Sequence, residues 1–134
     1  MLIIKKSRLP NAGKGLFTTT EIRKDETVCE YKGEKVTWAE CEVRNQKLDG
    51  HGNYYFYVNK NNCVDAQNTP QHFGRYANDA AGIGRVPGIR NNSIYVVRKG
   101  VPFIVATRRI KAGEEIYVSY GRSYWNIVKQ NMKK

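Results

Sequence analysis

At 134 residues the chain is long enough to bury one real core and too short for two. Its 40% apolar and 26% charged residues are ordinary for a globular protein, which excludes a disordered chain, and no apolar run approaches the ~20 residues of a membrane span. Twenty-three basic against 12 acidic side chains give +11, a field that either draws in polyanions such as nucleic acid or acidic protein faces, or merely solvates the surface.

In chain order, the opening "MLIIKKSRLP" has too short an apolar stretch for a secretory signal, so the protein is expected to remain inside the cell. Glycines and Pro/Asn clusters then separate short β-branched or aromatic pieces: "LIIKK", "GLFTT", "TVCEYKG", "YYFYVN", "SIYVVR", "FIVATRR" and "EEIYVSY". Pieces of this length and composition predict small strands and a mainly β protein. One helix start interrupts them at "TWAE". Thr37 as N-cap and Glu40 three residues on form a capping box, and Trp38, Cys41 and Leu48 recur at helical spacing until Asp49-Gly50. A second helix is expected in the final "YWNIVKQNMKK". The run from Asn78 to Asn92, "NDAAGIGRVPGIRNN", has no periodicity and is the longest loop. We read a single domain, 1–134, with an N-terminal strand and turn over 1–12 and a basic tail over 126–134.

The positive excess concentrates from residue 85 onward, where Arg85, Arg90, Arg98, Lys99, Arg108, Arg109, Lys111, Arg122, Lys129, Lys133 and Lys134 face only Glu114 and Glu115. Cys29, Cys41 and Cys63 stand singly with no CxxC pair, and His51 and His72 flank no ligand spacing. No disulfide framework and no metal site is therefore expected, and the cysteines read as small packing residues in a reducing compartment. No GxSxG, no cysteine with an evident histidine partner and no paired carboxylates point to nucleophilic catalysis. "GKG" at Gly13 to Gly15 lacks the rest of a phosphate loop; by itself it reads as a turn, or as glycines that let a ligand approach the main chain.

Four segments occur in a telling order: "NAGKGLFTTTEIRKDETVCEYKGE", "YYFYVNKNNCVDA", "GRYANDA" and "VATRRIKAGEEIYVSYGRSYW". Together, over roughly residues 8 to 125, they resemble the SET-domain protein lysine methyltransferases. That family's pattern runs GxG, I-x-x-G-x-x-V-x-E-Y-x-G-E, Y-x-F, D-A, R-[FY]-x-N-H-S and A-x-R-x-I-x-x-G-E-E-[LI]-x-x-x-Y-G. Asp25 stands at the glycine of the I-x-x-G step, and Asn78, Asp79, Ala80 and Ala81 stand where the family usually has Asn-His-Ser-Cys. Cysteine-rich zinc flanks are missing, so the chain looks like a minimal form similar to viral and bacterial members.

The resemblance implies small twisted sheets whose C-terminal segment threads a preceding loop as a pseudoknot, with one or two short helices. It implies transfer of a methyl from S-adenosylmethionine to a lysine of a basic protein tail, histone-like or ribosomal, leaving S-adenosylhomocysteine. Carried over residue by residue, Gly13, Lys14, Gly15, Leu16 and Tyr54 would line the methionine end of the cofactor, and Arg75 and Asn78 would meet its carboxylate and amino group. Asp79 would take the adenine edge, and Trp125 would stack on adenine. Tyr120 matches the catalytic tyrosine and also faces the cofactor. Tyr55, Tyr57 and Val118 would line the lysine channel, where Val118 leaves room for di- or trimethylation. Because a positively charged enzyme repels a lysine-rich peptide, either an acidic groove drawn from Glu30, Glu34, Glu40 and Glu42 guides it, or the basic surface docks on nucleic acid attached to the substrate. No metal and no membrane contact is implied, and the protein would be a monomer or homodimer, nuclear if eukaryotic and cytoplasmic if bacterial. Two other classes stay open: a non-catalytic SET-like module binding nucleic acid or a protein partner, and an interaction protein whose terminal aromatics form a dimer face.

Overall fold

Short strands pair in three small antiparallel sheets in a computed structural model that describes residues 1–47, 54–81 and 85–120. Strands β1 (Leu2–Lys6) and β2 (Lys14–Thr18) form a hairpin in which Ile4 faces Leu16 and Lys6 faces Lys14. Strand β3 (Thr27–Glu30) lies beside β8 (Val101–Ala106), which pairs in turn with β7 (Ser93–Arg98). Lys99 and Gly100, both at positive φ, make the two-residue turn between β7 and β8; that conformation matches the twist of the strands it joins. The third sheet has the order β4 (Glu34–Val36), β6 (Asn62–Asp65), β5 (Tyr55–Asn59).

The mainly β expectation holds, and β7 spans the whole of "SIYVVR". β4 and β6 are additional strands. Helix α1 (Trp38–Lys47) starts where "TWAE" places it, with the Glu40 N–H donating to Thr37 Oγ1 at 3.2 Å. The return half of the capping box is replaced: the Glu40 carboxylate accepts from Arg44 Nε at 2.9 Å, because Arg44 also bridges Glu34 and Asp65 and draws it along the helix. A 3₁₀ turn, Phe73–Tyr76, precedes the 77–92 loop. The second helix expected near the C-terminus, the 126–134 tail and Leu48 to Gly50 lie outside the described residues.

"EEIYVSY" is the instructive departure, since it forms no ladder strand. It runs between two arms of the chain and bonds to each by single bridges, Asn78 with Tyr117 and Ser93 with Val118, both parallel. On one side the Val118 N–H donates to Asn78 O at 2.8 Å. On the other, Asn92 and Ser93 N–H groups both donate to Tyr117 O, while the buried Asn92 side chain donates to Glu115 O and accepts from Tyr117 N–H. An asparagine thus imitates a strand neighbour, satisfying main-chain groups that a regular sheet would otherwise pair. This segment carries Ile116 and Val118 into the central core beside Leu16, Ile104 and Ile110, all fully buried.

Candidate active site

The 3₁₀ turn and the residues after it bring three clusters together, because residues 75 to 79 each hold a different part of the structure. Arg75 comes first. Its Nη1 donates to the carbonyls of Ala66 at 2.7 Å and Gln67 at 2.9 Å, and its guanidinium lies 4.0 Å from the Tyr54 ring centroid and 5.1 Å from that of Tyr76. Such stacking favours a planar, weakly hydrated cation. The Nε–H is buried and finds no acceptor among the described residues, so a donor remains for an anionic group.

Asn78 joins the loop to the "GKG" strand. Its Nδ2 donates to Lys14 O at 3.0 Å and points at Glu115 Oε2 at 3.5 Å. With the amide nitrogen turned toward protein acceptors, Oδ1 is left as an acceptor, the polarity an ammonium needs. Behind it lies Glu115, 1% exposed, accepting from Ser7 Oγ at 2.6 Å, Arg8 N–H at 2.8 Å and Tyr117 Oη at 2.9 Å. Burial, and then the bond to Glu115, push the Tyr117 phenol well above its ordinary value, so it remains a donor to the carboxylate. A buried carboxylate is tolerated when it is multiply hydrogen-bonded in this way.

The two glycines of the strand have different reasons. A Cβ on Gly15 would overlap the Glu115 carboxylate, so the protein's own buried acid already requires glycine there. Gly13 adopts φ +69°, and a Cβ there would meet open space. The Leu16 side chain lies in the core and its carbonyl accepts from Ile116 N–H at 2.7 Å.

Tyr120 is fixed at both ends. Its hydroxyl donates to Ala77 O at 2.6 Å, and its N–H donates to Asp79 Oδ2 at 2.8 Å. Its ring stacks on Tyr95, with centroids 6.4 Å apart and planes 20° from parallel. Tyr95 meets Phe56 at 4.9 Å and Tyr31 at 5.9 Å, extending the aromatic wall from the loop to β5. Burial, followed by the neighbouring Tyr120 and Tyr31, holds the Tyr95 phenol well above its usual range.

The sequence-predicted residues divide accordingly. Lys14, Asn78 and the GKG strand meet; Tyr54 meets Arg75; Asp79 meets Tyr120. Tyr55 and Tyr57 do not join this group: they alternate with Phe56 along β5, and Tyr57 packs edge-on against Trp38 of α1 and is half exposed. Since side chains one apart on a strand point to opposite faces, it is Phe56 of β5 that reaches this wall, by packing on Tyr95, which in turn stacks on Tyr120. Val118 is 0% exposed in the central core, where its size serves packing. The Asp79 carboxylate turns inward to its own loop and Tyr120, with 7% of the residue exposed. Trp125 lies outside the described residues. Sequence reasoning assigned no role to Glu115, Asn91, Asn92 or Tyr95; of these only Glu115 sits in a quoted motif step, the second acid of "GEE".

The proposed acidic groove also changes. Glu34 and Glu40 are both bound by Arg44, at 2.9 Å each, and the Arg44 bond holds the Glu34 carboxyl below its ordinary value. Cys41 and Cys63 are buried free thiols, and burial pushes Cys41 up to about 11, consistent with packing rather than reactivity. Among the described residues no helix is long and apolar enough to cross a membrane.

Comparison with known proteins agrees with this arrangement. A protein-family model described as SET domain matches residues 13–121. The histone-lysine N-methyltransferase Su(var)3-9 of Drosophila melanogaster is 32% identical over 84% of this chain, which corresponds to 19% of that protein. The N-lysine methyltransferase KMT5A of Xenopus tropicalis is 28% identical over 88% of this chain and 36% of its own length, and the histone-lysine N-methyltransferase set-1 of Caenorhabditis elegans is 27% identical over 87% and 50%. The chain therefore spans from about a fifth to half the length of these relatives. With a family match running from the GKG strand to the residue after Tyr120, and with those two ends brought together in space around Asn78, the chain belongs to the SET-domain family.

Proposed function

We propose that this protein is an S-adenosylmethionine-dependent protein-lysine N-methyltransferase that acts on a basic protein tail, histone-like or ribosomal. The observation that carries the reading is the placement of Tyr120, held by Ala77 and Asp79 on either side of Asn78, whose amide is anchored to the GKG strand. The residues fit the cofactor: Asn78 Oδ1 suits its ammonium, the Arg75 Nε–H suits its carboxylate, and open space lies beside Gly13. When bound, the cofactor supplies an electrophilic methyl on a sulfonium.

The chain's own contribution is to prepare the amine. A lysine with ordinary pKa ~10.4 spends about 4.6 kcal/mol to be neutral at pH 7. An aromatic wall of Tyr120, Tyr95, Phe56 and Tyr31 lowers that cost by withholding water from the ammonium. Tyr120 is not the base, since a phenol that donates its proton has no basic site to take one from the ammonium. That proton is committed to Ala77 O, so the lone pairs of the phenol oxygen are what it offers, as an acceptor for polarised C–H or N–H groups. Its role is orientation. Tyr95, rather than Val118, would then limit the space next to the amine, and its hydroxyl would restrict the product to fewer methyl groups.

The second partner would be nucleic acid attached to the substrate. At the end of the β1–β2 hairpin Lys6 stands opposite Lys14, with Lys5 and Arg8 beside them, all exposed and none in an ion pair among the described residues. Like charges facing across a hairpin are unfavourable alone and are relieved by phosphates. We place the protein inside the cell, in the nucleus if eukaryotic and in the cytoplasm if bacterial. The test is labelled methyl transfer to core histones, nucleosomes and ribosomal proteins by wild type and Tyr120→Phe. Transfer that depends on Tyr120 supports the enzyme; its absence for every substrate, with no cofactor-dependent thermal shift, favours a non-catalytic module.

A further inference from the structure

The geometry points to Asp79 and Asn91 as a coupled clasp that positions Tyr120 through its main chain, so that Asp79 acts on the tyrosine and not on a cofactor. The inference rests on the catalytic reading of Tyr120 given above. Asp79 Oδ1 accepts from Ala81 N–H at 2.8 Å and from Asn91 Nδ2 at 2.9 Å, and Oδ2 accepts from Tyr120 N–H at 2.8 Å. Asn91 completes the link by accepting Ala80 N–H at its Oδ1, also at 2.8 Å. The two side chains thus tie residues 79–81 to residue 91, and the same carboxylate reaches the threaded segment.

The chemistry of the two side chains explains why they belong together. Among the described residues three donors converge on Asp79, and a carboxylate is the side chain that offers acceptors alone, with lone pairs on both oxygens. A histidine, the usual residue here in the SET pattern, has at most one acceptor nitrogen and could serve only one of them. An asparagine would set its own NH2 against at least one donor. Asn91 contributes the opposite requirement, donating to Asp79 and accepting from Ala80, which only an amide does at that size. Because Ala77 O holds the Tyr120 hydroxyl, the Asp79 bond to Tyr120 N–H fixes the other end of the residue, and displacement of the main chain swings the ring.

The test uses the whole chain, in three variants and three readouts: exchange of the Tyr120 amide proton by NMR, S-adenosylhomocysteine binding by calorimetry, and the turnover number at saturating cofactor. In Asp79→Asn, Tyr120 amide exchange should accelerate at least tenfold and turnover should fall about 30-fold, as a small misplacement of a reacting geometry does. The dissociation constant for S-adenosylhomocysteine should stay within about threefold, since both carboxylate oxygens are engaged within the protein. Asn91→Ala, which leaves the carboxylate in place, should move exchange and turnover the same way by a smaller factor, and it serves if Asp79→Asn does not fold. The exchanged pair, Asp79→Asn combined with Asn91→Asp, puts the amide and the carboxylate back in contact with their places reversed. The amide at position 79 then donates to the carboxylate at position 91 while its oxygen accepts from Tyr120 N–H; Ala81 N–H stays without its acceptor, so Tyr120 exchange should slow again and part of the lost turnover should return. Weakened S-adenosylhomocysteine binding with unchanged turnover at saturation would overturn the clasp in favour of a cofactor contact. So would unchanged Tyr120 exchange in Asp79→Asn. A wild-type protein that neither binds nor transfers would remove the enzymatic reading, while the exchange measurement would still decide the clasp.

Discussion

The hydroxyl of Tyr120 donates to the carbonyl of Ala77 at 2.6 Å, across 43 residues of sequence. Residues 77, 78 and 79 bind in turn the Tyr120 hydroxyl, the Val118 amide and the Tyr120 amide, so the closing segment is gripped in register by the loop that also carries Asn78. Tyr120→Phe removes one bond and keeps the ring. Methyl transfer should fall about 100-fold, the scale of a lost alignment, while stability to urea drops by only about 1 kcal/mol. Full activity in a folded variant would contradict an orienting role for the phenol.

Glu115 is predicted to be the structural linchpin of the GKG strand. Glu115→Ala leaves the Ser7 hydroxyl, the Arg8 amide and the Tyr117 hydroxyl without their acceptor in a buried site. Unfolding free energy should fall by about 3 kcal/mol, the range for groups bonded to a buried charge. Gly15→Ala should also destabilise, because its Cβ would overlap the same carboxylate. Combining Gly15→Ala with Glu115→Ala should cost less than the sum of the two, and chemical denaturation of the double variant checks this. Strict additivity would show that the two residues do not meet.

Much of this was legible in the sequence where the signal is local. Short β-branched and aromatic runs marked β1 and β7, and Thr37 marked the start of α1 because an N-cap depends on its immediate neighbours. The quoted motifs located Asn78 and Lys14, which bond each other, and Tyr120, which is held by the residues on either side of Asn78. The rest depends on long-range contacts. "EEIYVSY" has a strand's pattern, yet its main-chain bonds are divided among β2 at Leu16 and Thr18, Asn78, and Asn92 with Ser93, a division no period reveals. Tyr55, Phe56 and Tyr57 are adjacent aromatics, and which of them packs on Tyr95 depends on strand phase, which an unbroken aromatic run hides. Asp79 and Asn91 read as loop residues because only the folded loop shows that they bond each other.

Tyr95→Phe should raise the proportion of di- and trimethylated product at long reaction times, measured by mass spectrometry, because the ring that stacks on Tyr120 loses its hydroxyl. An unchanged product distribution would take Tyr95 out of the channel.

The same variant has a signature in alkaline unfolding. The folded protein holds the Tyr95 phenol above its ordinary value through burial and neighbouring tyrosines, so the unfolded chain loses this proton first. The contribution is fully present below about pH 10 and is lost as pH rises from there through the folded value. Tyr95→Phe should show a shallower loss of stability above that pH. Parallel alkaline limbs for the two proteins would contradict the shift.

If Lys6 and Lys14 dock phosphates, Lys6→Ala/Lys14→Ala should weaken binding to duplex DNA and reduce the slope of log affinity against log salt by about 2, near 0.9 per phosphate contact. Transfer to a free peptide should be unaffected. An unchanged salt slope would assign these lysines to a solvated surface.

The decisive measurement is calorimetric titration of S-adenosylhomocysteine into the wild-type protein and into Asn78→Ala. One molecule bound per chain, with affinity reduced at least tenfold in the variant, is the predicted result for a site in which Asn78 Oδ1 receives an ammonium. A wild-type protein that binds none, or an Asn78→Ala variant that binds as tightly, would contradict it.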